Sequence, residues 1–335
     1  MLLKLFIANR KITDKWNNER DMAKSTKMSY GTTLNNLKEY EKSSIRGVER
    51  QHPVTLDHFV LLSGAKTSTE PTVVKLFRRF LTEVKGYKDN SVSRELKNLA
   101  AFLKWAKREG FAGRLPIIVS IKAAPILGSG HALLPDEIDK LYALETKTGS
   151  RRWHVQQLFV LSFDTSLRFS DLHNLDPMLV NLTHQIVKNQ KTGGTSVVFH
   201  TPRVREILTK YRDVPRSKMI LPNSEGDFTQ NWRFNSILKE LAQEAGLDRI
   251  VQVENRTRGR AQVTQHLLHD VISSKFGRVS FISNALARGD GHGEVQIQTG
   301  HKDDKMLRKD GPYFRALHQE MARRMGIEEV DEQCE

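Results

Sequence analysis

Apolar positions recur at helical spacing along most of this chain, and in one stretch the spacing drops to two. Tyr30, Leu34, Leu37 and Tyr40 predict one helix, and Val73, Leu76, Phe77 and Phe80 predict another. The clearest amphipathic run starts at Asn90 or Ser91, either a suitable N-cap. It carries Leu96, Leu99, Phe102, Leu103, Trp105 and Ala106, and Gly110 stops it. The stretch from Lys122 to His131 is punctuated by Pro, Gly and Ser and reads as a linker. Beyond it, Leu134-Pro135-Asp136-Glu137-Ile138 opens a helix with Pro and acids in its first turn, where the helix dipole favours them. Trp153, Val155, Leu158, Phe159, Val160 and Leu161 predict a buried helix.

Residues 180–201 change character. Ile186-Val187 and Ser196-Val197-Val198-Phe199 flank Lys191-Thr192-Gly193-Gly194, which predicts a β-hairpin with a Gly-rich turn. Helices are expected again around 202–212, 229–246, 263–275 and 278–288. No internal repeat or low-complexity tract is present. The pattern therefore predicts a mainly α chain with a small antiparallel β-sheet, an α+β architecture. Its expected parts are a short N-terminal extension (1–24), a helical domain (25–120), a linker (121–132), a second domain (133–326) and an acidic tail (327–335) with five acids.

Charge sharpens this division. The 335-residue chain has a formal net charge of +14. Residues 1–124 hold 24 Lys and Arg against 12 Asp and Glu, whereas residues 125–335 hold 29 against 27. Nearly all the surplus thus lies in the N-terminal third, as in a module that embraces a polyanion. On the helix from Asn90, the polar positions carry Arg94, Lys97, Lys104, Lys107 and Arg108, the candidate DNA-phosphate contacts. An acidic membrane surface is a poorer fit, because no basic amphipathic helix with a Trp/Phe face stands out. No apolar run approaches the roughly 20 residues of a membrane span. The opening Met1–Ala8 is apolar, but Lys4 interrupts it and basic residues follow, the reverse of a secretory signal. The single Cys334 leaves no internal disulfide or cysteine metal site and fits a reducing cytoplasm. P-loop, Cys/His metal and Gly-x-Ser-x-Gly patterns are missing, and His292 in Gly291-His292-Gly293 reads as a loop residue. No cofactor and no metal are expected.

Five short strings remain. Arg168 lies in Thr165-Ser166-Leu167-Arg168-Phe169-Ser170-Asp171, read as a helix start with a carboxylate three residues on. Gln190-Lys191-Thr192 sits at the tip of the hairpin. Lys275-Phe276-Gly277-Arg278, Thr299-Gly300-His301 and Gly311-Pro312-Tyr313 follow in order. An Arg at a helix start is well placed for phosphate, and Gly277 before Arg278 allows close backbone approach.

In that order Arg168, Lys191, Lys275, Arg278, His301 and Tyr313 resemble the active-site series of the tyrosine recombinases, the phage-integrase family. The resemblance runs from about residue 25 to 326. It implies a helical, SAM-like core-binding domain and a tyrosine-recombinase catalytic domain closing as a clamp on duplex DNA. It implies site-specific cutting and rejoining of DNA through a 3′-phosphotyrosine intermediate, needing neither metal nor nucleotide. Tyr313 would be the nucleophile, Arg168 and Arg278 the cations on the scissile phosphate, and His301 a hydrogen-bonding partner of that phosphate. Lys191, or less well Lys188, would protonate the leaving 5′-oxygen. The family pattern His-x-x-Arg is here Lys275-x-x-Arg278, which keeps the phosphate clamp and puts the base step in question. Tyr313 lies twelve residues after His301, a few more than the family's usual gap. The family acts as a homotetramer on two DNA sites, sometimes with an accessory DNA-bending protein. Two alternatives stay open: a catalytically silent DNA-binding protein of this fold, and a type IB topoisomerase-like enzyme that relaxes DNA without pairing sites.

Overall fold

The computed structural model describes residues 2–9, 11–13, 19–45, 70–112, 115, 118–119, 132–212 and 231–301. The chain forms two compact units. One is Met1–Ile126 together with Glu254–Val263, and the other is Leu127–Val253 together with Thr264–Glu335.

Among the described residues, the first unit is built on four helices: α1 (Leu2–Asn9), α2 (Lys24–Lys42), α3 (Thr72–Arg79) and α4 (Asp89–Arg108). A π-helical segment, Phe80–Val84, extends α3. Residues 1–24, expected as a short extension, contribute α1, whose Phe6 is fully buried. Its ring packs edge-on to Tyr30 at 4.7 Å and Phe102 at 5.7 Å, and lies 5.4 Å from Trp105. Burying such a side chain is worth about 2–3 kcal/mol, enough to hold a two-turn helix that would not persist alone. A second aromatic group, Tyr40, Phe77 and Phe80, joins α2 to α3. Glu95 is buried in α4 and accepts a 2.6 Å hydrogen bond from Thr33 Oγ1 of α2. Residues 254–263 complete the unit. The Asp89 carboxylate, 2% exposed, accepts hydrogen bonds from the backbone amides of Arg258 (2.7 Å) and Gly259 (2.8 Å). Lys88 Nζ donates to Asn255 Oδ1 at 2.8 Å.

The second unit is organised around α6 (Arg151–Thr165), which is apolar nearly all round and buried from Val155 to Phe163. Ser150 caps it by accepting from the Trp153 amide at 3.2 Å. Around α6 pack α5 (Pro135–Tyr142), α7 (Pro202–Arg212), α8 (Asn231–Glu244) and α10 (Lys275–Arg288). The expected helix start at Leu134 is present, with Pro135 at its first position and Glu137 Oε2 accepting from the Leu134 amide at 2.9 Å. At the other end of α6, Arg203 of α7 grips Asp164 bidentately, with both hydrogen bonds at 2.6 Å, and also meets Asp139. Burial pushes the Asp164 carboxyl above the usual carboxylate range, outweighing the downward pull of Arg203.

The β-structure of the described residues is three two-stranded sheets rather than one. Strands β1 (Lys11–Thr13) and β2 (Glu19–Asp21) pair antiparallel, Lys11 opposite Asp21. The hairpin expected within 180–201 is β3 (His184–Lys188) and β4 (Thr195–Phe199), with His184 opposite Phe199 and Lys188 opposite Thr195. Alternate residues Gln185, Val187, Ser196 and Val198 face inward. The helix expected over 263–275 is absent. A second hairpin, β5 (Ile250–Thr257) and β6 (Arg260–Leu267), stands there, followed by the four-residue α9 (Leu268–Val271). Arg258 and Gly259, both with positive φ (55° and 77°), form its two-residue turn, the backbone sign that hairpins select. His292, read as a loop residue, instead opens α11 (His292–Thr299).

Two histidines, the buried His200 and the half-buried His154, give the fold a direction of pH dependence. Burial holds the imidazoles of His154 and His200 below the ordinary 6.5. His154 Nδ1 lies 3.0 Å from the Tyr211 hydroxyl, and His200 donates Nδ1–H to the Leu182 carbonyl at 2.8 Å. The unfolded chain therefore binds more protons below about pH 6.5, and the stability from the neutral rings is lost as pH falls through that value. The melting temperature should drop between about pH 7.5 and about pH 5.5, and the drop should shrink in His154→Gln. An equal drop in that variant would remove His154 from the account.

Candidate active site

At its C-terminal end α6 stops at Thr165 because Ser166 adopts the left-handed conformation, φ 61° and ψ 3°. Such a backbone is costly for a residue with a Cβ and persists only when its surroundings impose it. Here Ser162 Oγ donates to the Leu167 carbonyl (2.8 Å), Thr165 Oγ1 donates to the Leu161 carbonyl (2.6 Å), and Ser166 Oγ donates to the Gln298 carbonyl (3.2 Å). The chain then turns at Arg168, whose carbonyl accepts from the amides of Asp171 (2.7 Å) and Leu172 (3.2 Å). Arg168 thus heads a tight turn into the 3-10 segment Leu172–Asn174, not an α-helix as expected. The reversal at Ser166 consumes the local backbone groups that a helix start would have used.

The Arg168 side chain is one-fifth exposed, with Nη1 buried and 3.8 Å from Oδ2 of the fully buried Asp171. Its side chain makes no hydrogen bond among the described residues. The other Asp171 oxygen accepts from the Gln190 amide at 2.9 Å. One carboxylate therefore stands between Arg168 and the turn of the first hairpin.

Arg278 lies on the first turn of α10 and is 6% exposed. Its Nη1 donates to the Ser166 carbonyl at 3.0 Å, and Nη2 to the Thr299 carbonyl at 2.9 Å. Nη2 also lies 3.0 Å from His301 Nε2. A guanidinium has only donors, so Nε2 accepts, and the ring N–H lies on Nδ1. That proton faces Thr299 Oγ1 at 2.7 Å, and Thr299 Oγ1 donates its own to the Val295 carbonyl at 2.7 Å. This network assigns the tautomer. It brings two of the expected site residues, Arg278 and His301, into direct contact.

Two glycines make the approach possible. A Cβ on Gly277 would lie 2.5 Å from Ser162 Oγ and 2.7 Å from its Cβ, so α10 meets α6 at a position no larger residue fits. Gly300 ends α11 with φ 66°, and a Cβ there would lie 2.4 Å from Asn189 Nδ2 and 2.7 Å from the Thr195 carbonyl. Gly300 therefore nests against the hairpin that carries Lys191. Lys191 is exposed in the turn, and Lys188 is exposed on β3. Lys275, exposed at the first position of α10, is one turn from Arg278 and makes no hydrogen bond or ion pair among the described residues. Tyr313, the acidic tail and most of the linker lie outside the described residues. Sequence reading missed Ser166, Thr299 and Asn189 as parts of this constellation. Ser166 and Thr299 lie within the quoted motifs without a role of their own; Asn189 carries no signal by type or spacing.

The five basic residues expected to meet phosphate, Arg94, Lys97, Lys104, Lys107 and Arg108, are all exposed on α4. Lys97, Lys104 and Arg108 line a shallow cleft of about 510 Å³ with Ala100, Ala101 and Trp105. Arg94 pairs with Glu95 at 3.6 Å and Arg108 with Glu109 at 3.4 Å, leaving the three lysines without an ion pair among the described residues. No described helix is long and apolar enough to cross a membrane, and no cluster of three or more potential metal ligands occurs among the described residues.

No family model and no curated protein matches the chain in sequence. Solved structures do match its fold. A lambda integrase dimer bound to a COC′ core site aligns with a TM-score of 0.59 at 13% identity, over 88% of this chain and 92% of the other. The Tn1549 transposon integrase in complex with a circular-intermediate DNA gives 0.59 at 14% identity, over 96% and 98%. XerH site-specific recombinase bound to a palindromic difH substrate, in a post-cleavage complex, gives 0.60 at 14% identity, over 90% and 80%. These neighbours are tyrosine recombinases, and the chain has their fold.

Proposed function

We propose that this chain, with the fold of the tyrosine recombinases, is a site-specific DNA recombinase that cuts and rejoins strands through a 3′-phosphotyrosine. The observation that carries the reading is the buried Arg278, held by the Ser166 and Thr299 carbonyls and pressed against His301. A charged group so immobilised is an expense unless it meets a charged partner, and a phosphate supplies one. Arg168, its side chain one-fifth exposed and free of hydrogen bonds among the described residues, is on this reading the second cation. Attack by the Tyr313 hydroxyl on the scissile phosphorus spreads negative charge over its non-bridging oxygens. Fixed guanidinium groups stabilise that charge more in the transition state than in the ground state. A phosphate oxygen entering the site would draw the Arg278 hydrogen bond from His301 Nε2, and the imidazole, once protonated there, would donate to the same group. Lys191, on its exposed turn, gives a proton to the departing 5′-oxygen. Lys275 adds positive charge one turn from Arg278. The α4 face holds duplex DNA through phosphates, and the protein acts on two sites as a tetramer, with an accessory bending protein where the site calls for one.

The deciding experiment is incubation of the full chain with its DNA site carrying a nick beside the scissile phosphate. The short fragment released after attack cannot return, so a covalent adduct accumulates. A protein–DNA species stable to denaturant, formed with neither metal nor nucleotide added, is the expected result. Absence of an adduct on a footprinted site favours a silent DNA-binding protein. An adduct with supercoil relaxation but no exchange between two sites favours a topoisomerase-like enzyme.

The α4 surface carries a separate prediction. Changing Lys97, Lys104 and Lys107 together to Ala should weaken DNA binding about evenly across sequences. It should also flatten the dependence of log affinity on log salt by roughly one unit for each phosphate that the variant no longer neutralises. An unchanged salt slope would take this face off the DNA.

A further inference from the structure

Lys191 is exposed and forms no bond of its own among the described residues, so the backbone beneath it decides where its ammonium group reaches. That backbone rests on Asn189, two residues before it. The Asn189 amide donates to the Gly194 carbonyl at 2.8 Å, and the Gly193 amide donates to the Asn189 carbonyl at 2.9 Å. Together they close the turn over Gln190, Lys191, Thr192 and Gly193. The Asn189 side chain is fully buried and exchanges hydrogen bonds with Ser196 across the hairpin, Nδ2 donating at 3.1 Å and Oδ1 accepting at 3.3 Å.

The same side chain forms the floor on which α11 ends. Gly300 leaves no room for a Cβ beside Asn189 Nδ2, the Thr195 carbonyl and Ser196 Oγ, the last 2.8 Å from where that Cβ would be. Gly300 lies between Thr299, whose carbonyl holds Arg278, and His301, whose ring meets it. From the other side, Asp171 holds the next residue of the turn through the Gln190 amide. The turn bearing Lys191 is thus registered against the Arg278–His301 pair at one point and against the Arg168 turn at another.

We propose that Asn189 is a positioning residue that sets the reach of Lys191 toward the scissile phosphate, through its seat with Ser196 and Gly300. The proposal rests on the reading of Lys191 as the proton donor. In the step concerned, the Tyr313 hydroxyl gives its proton to water as its oxygen bonds to phosphorus, and the bond from phosphorus to the 5′-oxygen breaks. The 5′-oxygen takes a proton from Lys191 Nζ. An asparagine suits the seat because one side chain both donates to and accepts from the single Ser196 hydroxyl. Alanine would leave that hydroxyl buried without its partner and the floor beneath Gly300 open, so the turn would relax and Lys191 would lose its aim.

A sulfur-for-oxygen exchange tests this. When the bridging 5′-oxygen of the scissile phosphate is replaced by sulfur, the leaving thiolate is a weak base and departs without a proton. Any defect confined to proton delivery then disappears, while a damaged phosphate clamp or a loosened fold persists. With the full chain and nicked DNA, Asn189→Ala should slow cleavage of the ordinary substrate on the order of a hundredfold, within the range of a lost general acid. On the sulfur-bridged substrate it should cleave within a few-fold of the unmodified protein. Ser196→Ala, a milder change, should show the same recovery from a smaller defect. Equal slowing of Asn189→Ala and Ser196→Ala on both substrates, or wild-type cleavage of both, overturns the proposal. Lys191→Ala separates the two layers. If it recovers on sulfur and the seat variants do not, only the positioning role falls. If Lys191→Ala does not recover, the proton-donor reading falls and the proposal with it.

Discussion

A chain carrying Tyr313→Phe should bind its DNA site as the unmodified protein does and form no covalent adduct on nicked DNA. The substitution keeps the ring and removes only the attacking oxygen, so the loss should be complete rather than graded. Peptide mapping of the wild-type adduct should place the nucleotide in the tryptic peptide containing Gly311-Pro312-Tyr313. An adduct mapped to another tyrosine would falsify the assignment of the nucleophile and show that the twelve-residue interval from His301 leads elsewhere. The measurement matters most for this residue, because its place rests on chain order and resemblance.

Arg278→Ala should lower the cleavage rate by on the order of a hundred- to a thousandfold, the loss expected when one fixed donor to a transition-state oxyanion is removed. DNA affinity should change little, since much of it comes from phosphates along the duplex. The structure adds a second consequence. Ser166 and Thr299 are both fully buried, and their carbonyls would lose the guanidinium that satisfies them. That costs about 1–3 kcal/mol for each orphaned group, so a lower melting temperature should accompany the kinetic loss. Arg278→Lys discriminates further. An ammonium supplies charge without the planar fork, and should leave activity between the wild type and the alanine variant. Cleavage by Arg278→Ala within threefold of wild type would remove Arg278 from the phosphate site.

Much of this architecture was legible in residue spacing. The buried α6 announced itself by an apolar run too wide for one face, and the first hairpin by alternation around Lys191-Thr192-Gly193-Gly194. The second hairpin was hidden because Val263, Leu267, Leu268, Val271 and Ile272 fall at helical intervals. The overriding cue was Arg258-Gly259, where two successive positive φ values make a hairpin turn. At the site, the order of motifs pointed to Arg168, Arg278 and His301, and Gly277 carried its reason in its size. The tight turn at Arg168 was not legible, because it depends on a hydrogen bond to the Gln298 carbonyl and one from Arg278, both far along the chain. Asn189 was silent for the same reason: nothing in its neighbours reveals that Gly300 will rest on it.

The pairing of Asp89 with the Arg258 and Gly259 amides has a consequence for the order in which the molecule is made. Asp89 leaves the ribosome well before the donors for its carboxylate, which follow only 169 and 170 residues later. Until then Asp89 must stay hydrated, and the start of α4 cannot take its final, buried form. The first unit is thus begun well before the residues that complete it are made. A fragment ending before residue 254 should accordingly melt below the same helices in the whole protein, with the α4 amides nearest Asp89 the first to exchange their hydrogens with solvent.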